Sequence, residues 1–350
     1  MRILLWHVHG SWTTGFVQGS HHYLLPVLPD RGPDGLGRAR TWDWPSSVAE
    51  LPPGRLPDQD IDVVILQRPN EIELTHRWTG RRPGVDLPAV YVEHNTPDQS
   101  ACRQRHWVAD RTDIPIAHVT AFNQLYWDNG SAPNTVIEHG IVDPGPRYSG
   151  EMPIGAVVLN DAHTRGRVVG ADLIPRFADY GPVDLFGMHA EDYVNAVGTT
   201  RHPIRAHQRI RTQDQMHTAL ARRRVYLHPP RWTSLGLSLI EAMHLGMPVL
   251  ALAATATTDA VPADAGLVSL NVARLGELFR TLLHEPEVAR FMGERARQAA
   301  LRRFGLHRFL TDWEQLLSRV TSDHHTQRAG YASNGRRVPS GPSRELLYEQ

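Results

Sequence analysis

The apolar residues of this chain come in short dense runs, separated by segments with helical spacing. Runs over residues 2–8 (RILLWHV), 61–66, 89–93, 115–119 and 134–138 predict buried strands. Helical spacing between them predicts helices over 71–78 and 121–127. Residues 9–15, HGSWTTG, read as a glycine-bearing loop at the ligand edge of a doubly wound sheet. Its spacing does not fit G-x-G-x-x-G, so no dinucleotide site is expected. Residues 29–60 are rich in Pro, Gly and Arg and read as a long irregular connection.

The alternation then repeats. Strands are expected over 154–159, 183–186, 225–228, 249–252 and 266–270, and helices near 169–180 and over 212–222 and 235–245. Amphipathic helices over 272–283, 286–303 and 306–320 follow, the last with Phe309, Trp313 and Leu316 on one face. The fold class is therefore α/β, with two Rossmann-like doubly wound domains. Residues 1–144 form the first, 145–153 a linker, 154–304 the second and 305–320 a final helix. Residues 321–350 are polar, with Gly, Ser, Pro and Arg, and are expected to be disordered.

Composition narrows the chemistry. Lys+Arg equals Asp+Glu at 37 each, so nothing favours nucleic acid or a bulk acidic partner. Every basic residue in that count is Arg; without lysine, phosphate contacts fall to Arg, His or backbone, and no lysine Schiff base is available. Cys102 is the single cysteine, which fits a reducing cytosol. Residues 1–8 are too short and too lightly apolar for a secretory leader, and no run of 18 apolar residues exists. A cytoplasmic protein is expected, with peripheral contact to the inner face of a membrane left open. His7/His9 and His21/His22 lack accompanying metal-ligand spacing, so no metal site is expected. Arg103, Arg105, His106, Trp107 and Arg111 read as a solvated helix, with contact to acidic lipid or an acceptor as the alternative.

Residues 225–253, VYLHPPRWTSLGLSLIEAMHLGMPVLALA, carry the most chemistry. They read as strand, polar loop, helix, turn and strand. Thr233 or Ser234 is placed to cap the helix, and Gly246 to end it in a left-handed residue before Pro248. A helix start offers free N–H groups and a positive dipole end to phosphate. Ser234 and Glu241 would lie about 10 Å apart along the axis, near one face, which suits a nucleotide diphosphate. Glu241 is then expected to be open to solvent and ligand, its removal leaving the fold intact. A helix packed on a sheet with Glu241 exposed by chance is the alternative.

The stretch resembles the donor-binding signature of glycosyltransferase family 4, retaining enzymes of the GT-B fold. Leu235-Gly236-Leu237, Glu241-Ala242-Met243 and Gly246-Met247-Pro248-Val249 match its F-G-L, E-A-M and G-x-P-V portions. The first Glu of the family's pair falls on Thr233, which carries no charge. Residues 139–144, HGIVDP, resemble the family's inter-domain passage. The likeness spans roughly residues 1–320, and implies a final helix that crosses back to the N-terminal domain.

The resemblance implies roles as well. An Arg in the loop after the first strand of the second domain binds donor pyrophosphate, which falls on Arg165, with Arg167 beside it where the family has Lys. Arg suits phosphate through its planar fork. His94, at the end of a buried strand, would reach the donor sugar; Gly10 and Gly15 would let backbone approach the diphosphate. Thr233, Ser234, Leu235, Gly236, Leu237 and Glu241 complete the donor site, with His94, Arg165 and Glu241 as the residues of the reaction.

The expected activity is retaining transfer of a hexosyl group from a nucleotide diphosphate sugar to an acceptor hydroxyl. No cofactor and no metal are expected. The acceptor is left open among glycan, lipid and small molecule. The alternatives are a non-catalytic nucleotide-sugar binder, or another GT-B enzyme such as a sugar-nucleotide epimerase or a phosphorylase.

Overall fold

A computed structural model of the chain describes residues 1–98, 101, 103–207 and 210–333. Residues 2–136 build one seven-stranded sheet and residues 152–269 a six-stranded one, both parallel throughout. The strands of the first are β1 (Arg2–Leu5), β2 (His22–Pro26), β3 (Val48–Leu51), β4 (Val63–Leu66), β5 (Ala89–Glu93), β6 (Ile116–His118) and β7 (Asn134–Val136), in the order 3-2-1-4-5-6-7. Those of the second are β8 (Met152–Val158), β9 (Val183–Phe186), β10 (Ile204–His207), β11 (Arg223–His228), β12 (Val249–Leu252) and β13 (Gly266–Ser269), in the order 10-9-8-11-12-13.

Strand order reverses between β1 and β4 in one sheet, and between β8 and β11 in the other. Crevices at such points receive ligands in open α/β sheets, because helices on opposite faces leave a gap outside the strand ends. Central strands β4, β5 and β12 are buried along their whole length, as continuous apolar runs demand when helices cover both faces. Strands over 89–93, 183–186 and 249–252 and the helix over 286–303 fall at the bounds read from the sequence.

Several expectations are corrected. Residues 9–15 are not a loop: Gly10–Phe16 is a helix that buries Trp12 and Phe16 against the sheet. The stretch over 29–60 contains β3 and a turn of 3-10 helix at Pro53–Arg55, and β2 precedes it. The helix near 169–180 is only two short turns, Ala171–Leu173 and Ile174–Phe177. The run over 103–111 forms turns instead of a helix, with Arg105 on Asp110, Arg111 on Asp113 and His106 buried beside Glu93. Cys102 lies outside the described residues. The final helix runs Leu306–Ser333, so residues 321–333 continue it; 334–350 lie outside the described residues.

The final helix crosses back to the first sheet. Phe309, Trp313, Leu316 and Leu317 join Ile3, Leu5, Trp12 and Phe16 in one core. The passage between sheets is tied to it: Arg308 donates to the carbonyls of Glu138 and His139 at 2.9 and 2.6 Å, and Phe304 O accepts from Ile141 N–H at 3.0 Å. Arg297 forks onto both oxygens of Asp143 at 2.8 and 2.7 Å. Gly140 and Gly15 make this approach possible. A Cβ on Gly140 would sit 2.2 Å from Phe309 Cβ, and one on Gly15 2.7 Å from Gly140 O. Any side chain at either position would force the passage away from the final helix or from the helix Gly10–Phe16. No helix among the described residues is long and apolar enough to cross a membrane.

Candidate active site

The ends of the central strands face each other across a cleft of about 410 Å³. Residues after β1 (His9, Gly10, Ser11), β5 (His94, Asn95, Thr96) and β8 (Leu159, Asn160, Arg165), and at and after the end of β11 (His228, Pro230 and Trp232 to Leu237), line it, with His139, Gln213 and Glu241. Both strand-order reversals thus open onto one cavity.

The helix Leu237–Leu245 begins one residue after Gly236, which is extended and provides no side-chain cap. The expected cap from Thr233 or Ser234 does not form, because both precede the helix. Ser234 is buried, its hydroxyl 3.0 Å from Thr120 Oγ1 across the cleft. Gly236 packs so closely on β11 that a Cβ there would lie 2.6 Å from His228 Cε1. With no cap, the first amides of the helix, at Leu237 and Ser238, are left for a ligand in the cleft. The helix ends as read, in left-handed Gly246 with φ of 90°.

Glu241 departs most from expectation. Its side chain is only 4% exposed. Oε1 accepts from Ser11 Oγ at 2.7 Å, and Oε2 from Gln213 Nε2 at 2.6 Å, with His217 Nε2 at 3.4 Å. Burying a carboxylate without such donors would be costly, so these partners hold it as an acceptor at the cleft wall. Ser11 comes from the first sheet's helix and Glu241 from the second's, so this hydrogen bond spans the cleft. Ser11, Gln213 and His217 were not legible as site residues, since each is an ordinary polar residue 24 to 230 positions from Glu241.

Arg165 is exposed on a short turn, Ala162–Arg165, at the cleft edge, and its side chain has no hydrogen bond or ion pair among the described residues. Arg167 is not brought to the cleft: it pairs with Asp172 at 3.0 Å and is 77% exposed. Gly15 is likewise outside, serving helix packing. Gly10 and Thr233 line the cleft, and Thr233 has no side-chain partner among the described residues.

The wall contributed by the first sheet is rich in histidine. His9 and His94 lie face to face, ring centres 4.0 Å apart, with Trp12 edge-on to His94 at 5.1 Å. His139, in the passage between the sheets, and His228, facing them from the end of β11 in the second sheet, complete the set, and among the described residues their Nδ1 atoms are buried without partners. Burial holds all four neutral. It lowers His9 to about 4, helped by the charge of Arg68, and His139 and His228 to about 3. His94 is also pushed well below its ordinary value by burial, then by His9 and His139. Neutral imidazoles offer one donor and one acceptor each, the pattern that sugar hydroxyls match. Of these four only His94 was expected.

The loop carrying Thr233 docks on the opposite wall. Trp232 Nε1 donates to Pro97 O at 2.6 Å, and its ring meets Phe122 and Tyr126 edge-on at 5.6 and 5.9 Å. Backbone N–H of Gln213 donates to Thr41 O at 3.3 Å on the other side. These bridges and the Ser11–Glu241 bond hold the cleft narrow.

Residues 201–299 match the family model of glycosyl transferases group 1. None of the curated proteins matches the chain in sequence. Among solved structures, sucrose-phosphate synthase from Thermosynechococcus elongatus is 14% identical with a TM-score of 0.66, over 92% of this chain and 100% of that one. Anabaena Alr3699/HepE, solved with UDP-glucose, is 13% identical with a TM-score of 0.64, over 91% and 99%. S. aureus TarM is 14% identical with a TM-score of 0.58 over 73% of this chain, which spans about half (54%) of TarM. In fold the chain is similar to these GT-B glycosyltransferases, two parallel α/β units on one chain, and its residues 201–299 match the model of glycosyl transferases group 1.

Proposed function

We propose that the chain moves a hexosyl group from a nucleotide diphosphate sugar to an acceptor hydroxyl, with retention of anomeric configuration and without a metal. One observation carries the reading. Unpaired Arg165, the uncapped amides at Leu237 and Ser238, and Glu241 all open onto the same cleft. That set matches a nucleotide diphosphate in chemistry and in order. Arg165 and the helix start receive the diphosphate; Glu241, still able to accept at Oε1, receives a ribose hydroxyl. The solved complexes of Alr3699/HepE with UDP and UDP-glucose support a donor of this class.

The sugar then lies between Thr233 and His94. As the glycosidic bond breaks, negative charge grows on the diphosphate, where Arg165 and the helix dipole stabilise it. The acceptor hydroxyl attacks from the face the diphosphate leaves, so no protein nucleophile is required. Bridges such as Trp232–Pro97 keep the cleft narrow and limit hydrolysis by water. The test is incubation with UDP-, GDP- and ADP-sugars and a panel of glycan, lipid and small-molecule acceptors, reading the anomer by NMR. Transfer with retention in the presence of EDTA is expected. An inverted product, or transfer abolished by EDTA and restored by a divalent ion, contradicts the mechanism.

Thr233 favours a second reading, a donor binder without transfer, because the position lacks the carboxylate that the family resemblance supplies there. Donor binding without transfer or hydrolysis would select it. On the favoured reading Thr233 hydrogen-bonds a particular sugar, and Thr233→Glu abolishes turnover by misplacing a charge.

A further inference from the structure

Gln67, which follows β4, is buried at the back of the cleft and takes no part in the donor contacts above. Its amide is committed at both ends. Nε2 donates to the Trp6 carbonyl at 2.7 Å, and Oε1 lies 3.0 Å from His94 Nε2. A carbonyl only accepts, so the amide NH2 must face Trp6 and the amide oxygen must face His94. That oxygen can only accept in turn, so the proton of neutral His94 resides on Nε2. His94 Nδ1 therefore carries a lone pair. It has no partner among the described residues, and it is not sealed off as Nδ1 of His139 and His228 are. The His9 ring at 4.0 Å and the Trp12 edge at 5.1 Å stop the imidazole from turning over.

We propose that Gln67 is a positioning residue that fixes His94 as the Nε2–H tautomer, so that the cleft receives an acceptor nitrogen aimed at a donor-sugar hydroxyl. The chain Trp6 carbonyl, Gln67 amide, His94 ring runs from β1's end through β4's end to β5's end, and ties three strand ends to one acceptor. His94 then acts by holding a hydroxyl and not by giving a proton. The identity of the ligand rests on the function proposed above, but the tautomer does not.

The test has two arms. The first is 15N NMR of His94 in the ligand-free wild-type chain, with His94→Gln used only to assign its signals. Protonated Nε2 and unprotonated Nδ1 are expected; a proton on Nδ1 overturns the proposal. The second compares wild type with Gln67→Met, close in size but unable to accept. The variant should mix tautomers and lose roughly tenfold in kcat/KM for the nucleotide sugar, the scale of one hydrogen bond. Affinity for the nucleoside diphosphate, which lacks the sugar, should stay within about twofold. An unchanged tautomer in Gln67→Met, or nucleoside diphosphate affinity falling in step with turnover, contradicts the role. If the wild-type chain turns over no nucleotide sugar, the proposed function fails, while the wild-type tautomer still decides this proposal.

Discussion

The two walls of the cleft are built in opposite ways. The wall from the second sheet is mostly contiguous: the strand end at His228, the loop to Gly236 and the helix to Glu241 occupy one short stretch. Its main offers are backbone amides, one arginine and one carboxylate. The wall from the first sheet is assembled from distant segments, His9, Gln67, His94 and the passage residue His139, joined by ring stacking and a buried amide. A diphosphate is chemically uniform and can be met by a fixed motif. Sugars and acceptors vary, and are met by side chains whose placement only the folded sheet provides.

The buried histidines, three of the four outside the wall from the second sheet, predict sensitivity to acid, the largest expected effect. His9, His94, His139 and His228 all have folded pKa values below the ordinary 6.5. The unfolded chain thus binds more protons between pH 6.5 and about 3. Stability is full above 6.5 and falls as the pH drops toward about 3. A single histidine held at about 4 contributes about 3 kcal/mol at neutral pH. Urea denaturation at pH 7 and pH 5 should differ by several kcal/mol, and a flat profile would mean that the histidines are hydrated in solution.

Trp313→Ala attacks the first wall from behind. The ring is 2% exposed and packs edge-on against Trp12 and Phe16 at 5.7 and 5.1 Å. Its loss should cost about 3–5 kcal/mol. Hydrogen exchange should rise first in the helix Gly10–Phe16; equal protection there would break the link between crossing helix and cleft.

Glu241→Ala comes next. It should weaken nucleoside diphosphate binding by about 1.5–3 kcal/mol. It should also lower the melting temperature, because Ser11, Gln213 and His217 lose their shared acceptor. Glu241→Gln, which keeps an acceptor for Ser11, should recover most of the stability but not the affinity. Parallel recovery of both would remove the carboxylate's special role.

The smallest contrast is Arg165 against Arg167. Arg165→Ala should weaken diphosphate binding by about 1.5–3 kcal/mol with little change in stability. Arg167→Ala should alter neither by more than about 0.5 kcal/mol, since it is exposed and tied to Asp172. Equal effects on binding would place the diphosphate elsewhere.

The legibility of the sequence follows the same division. Leu235-Gly236-Leu237, Glu241-Ala242-Met243 and Gly246 could be read because backbone geometry and ligand contact fall within one helix and its ends. The alternating apolar runs gave both sheets' central strands. Strands β3 and β10 escaped because each is a half-exposed edge strand without a dense apolar run, and β2 was missed although four of its five residues are buried. Glu241 looked open because the sequence cannot place Ser11, 230 positions earlier, against it. His139, His228 and Gln67 became site residues only through contacts of long sequence separation, and Arg167 and Gly15 left the site for local pairing and helix packing.

The central claim is that one cleft holds a nucleotide diphosphate between Arg165, the start of the helix Leu237–Leu245 and Glu241. Calorimetric titration of UDP, GDP and ADP into the wild-type chain, Arg165→Ala and Glu241→Ala tests it most directly. At least one nucleotide should bind the wild type, with both variants weaker by about tenfold or more. Binding of none of the three, or wild-type affinity in both variants, would contradict the account.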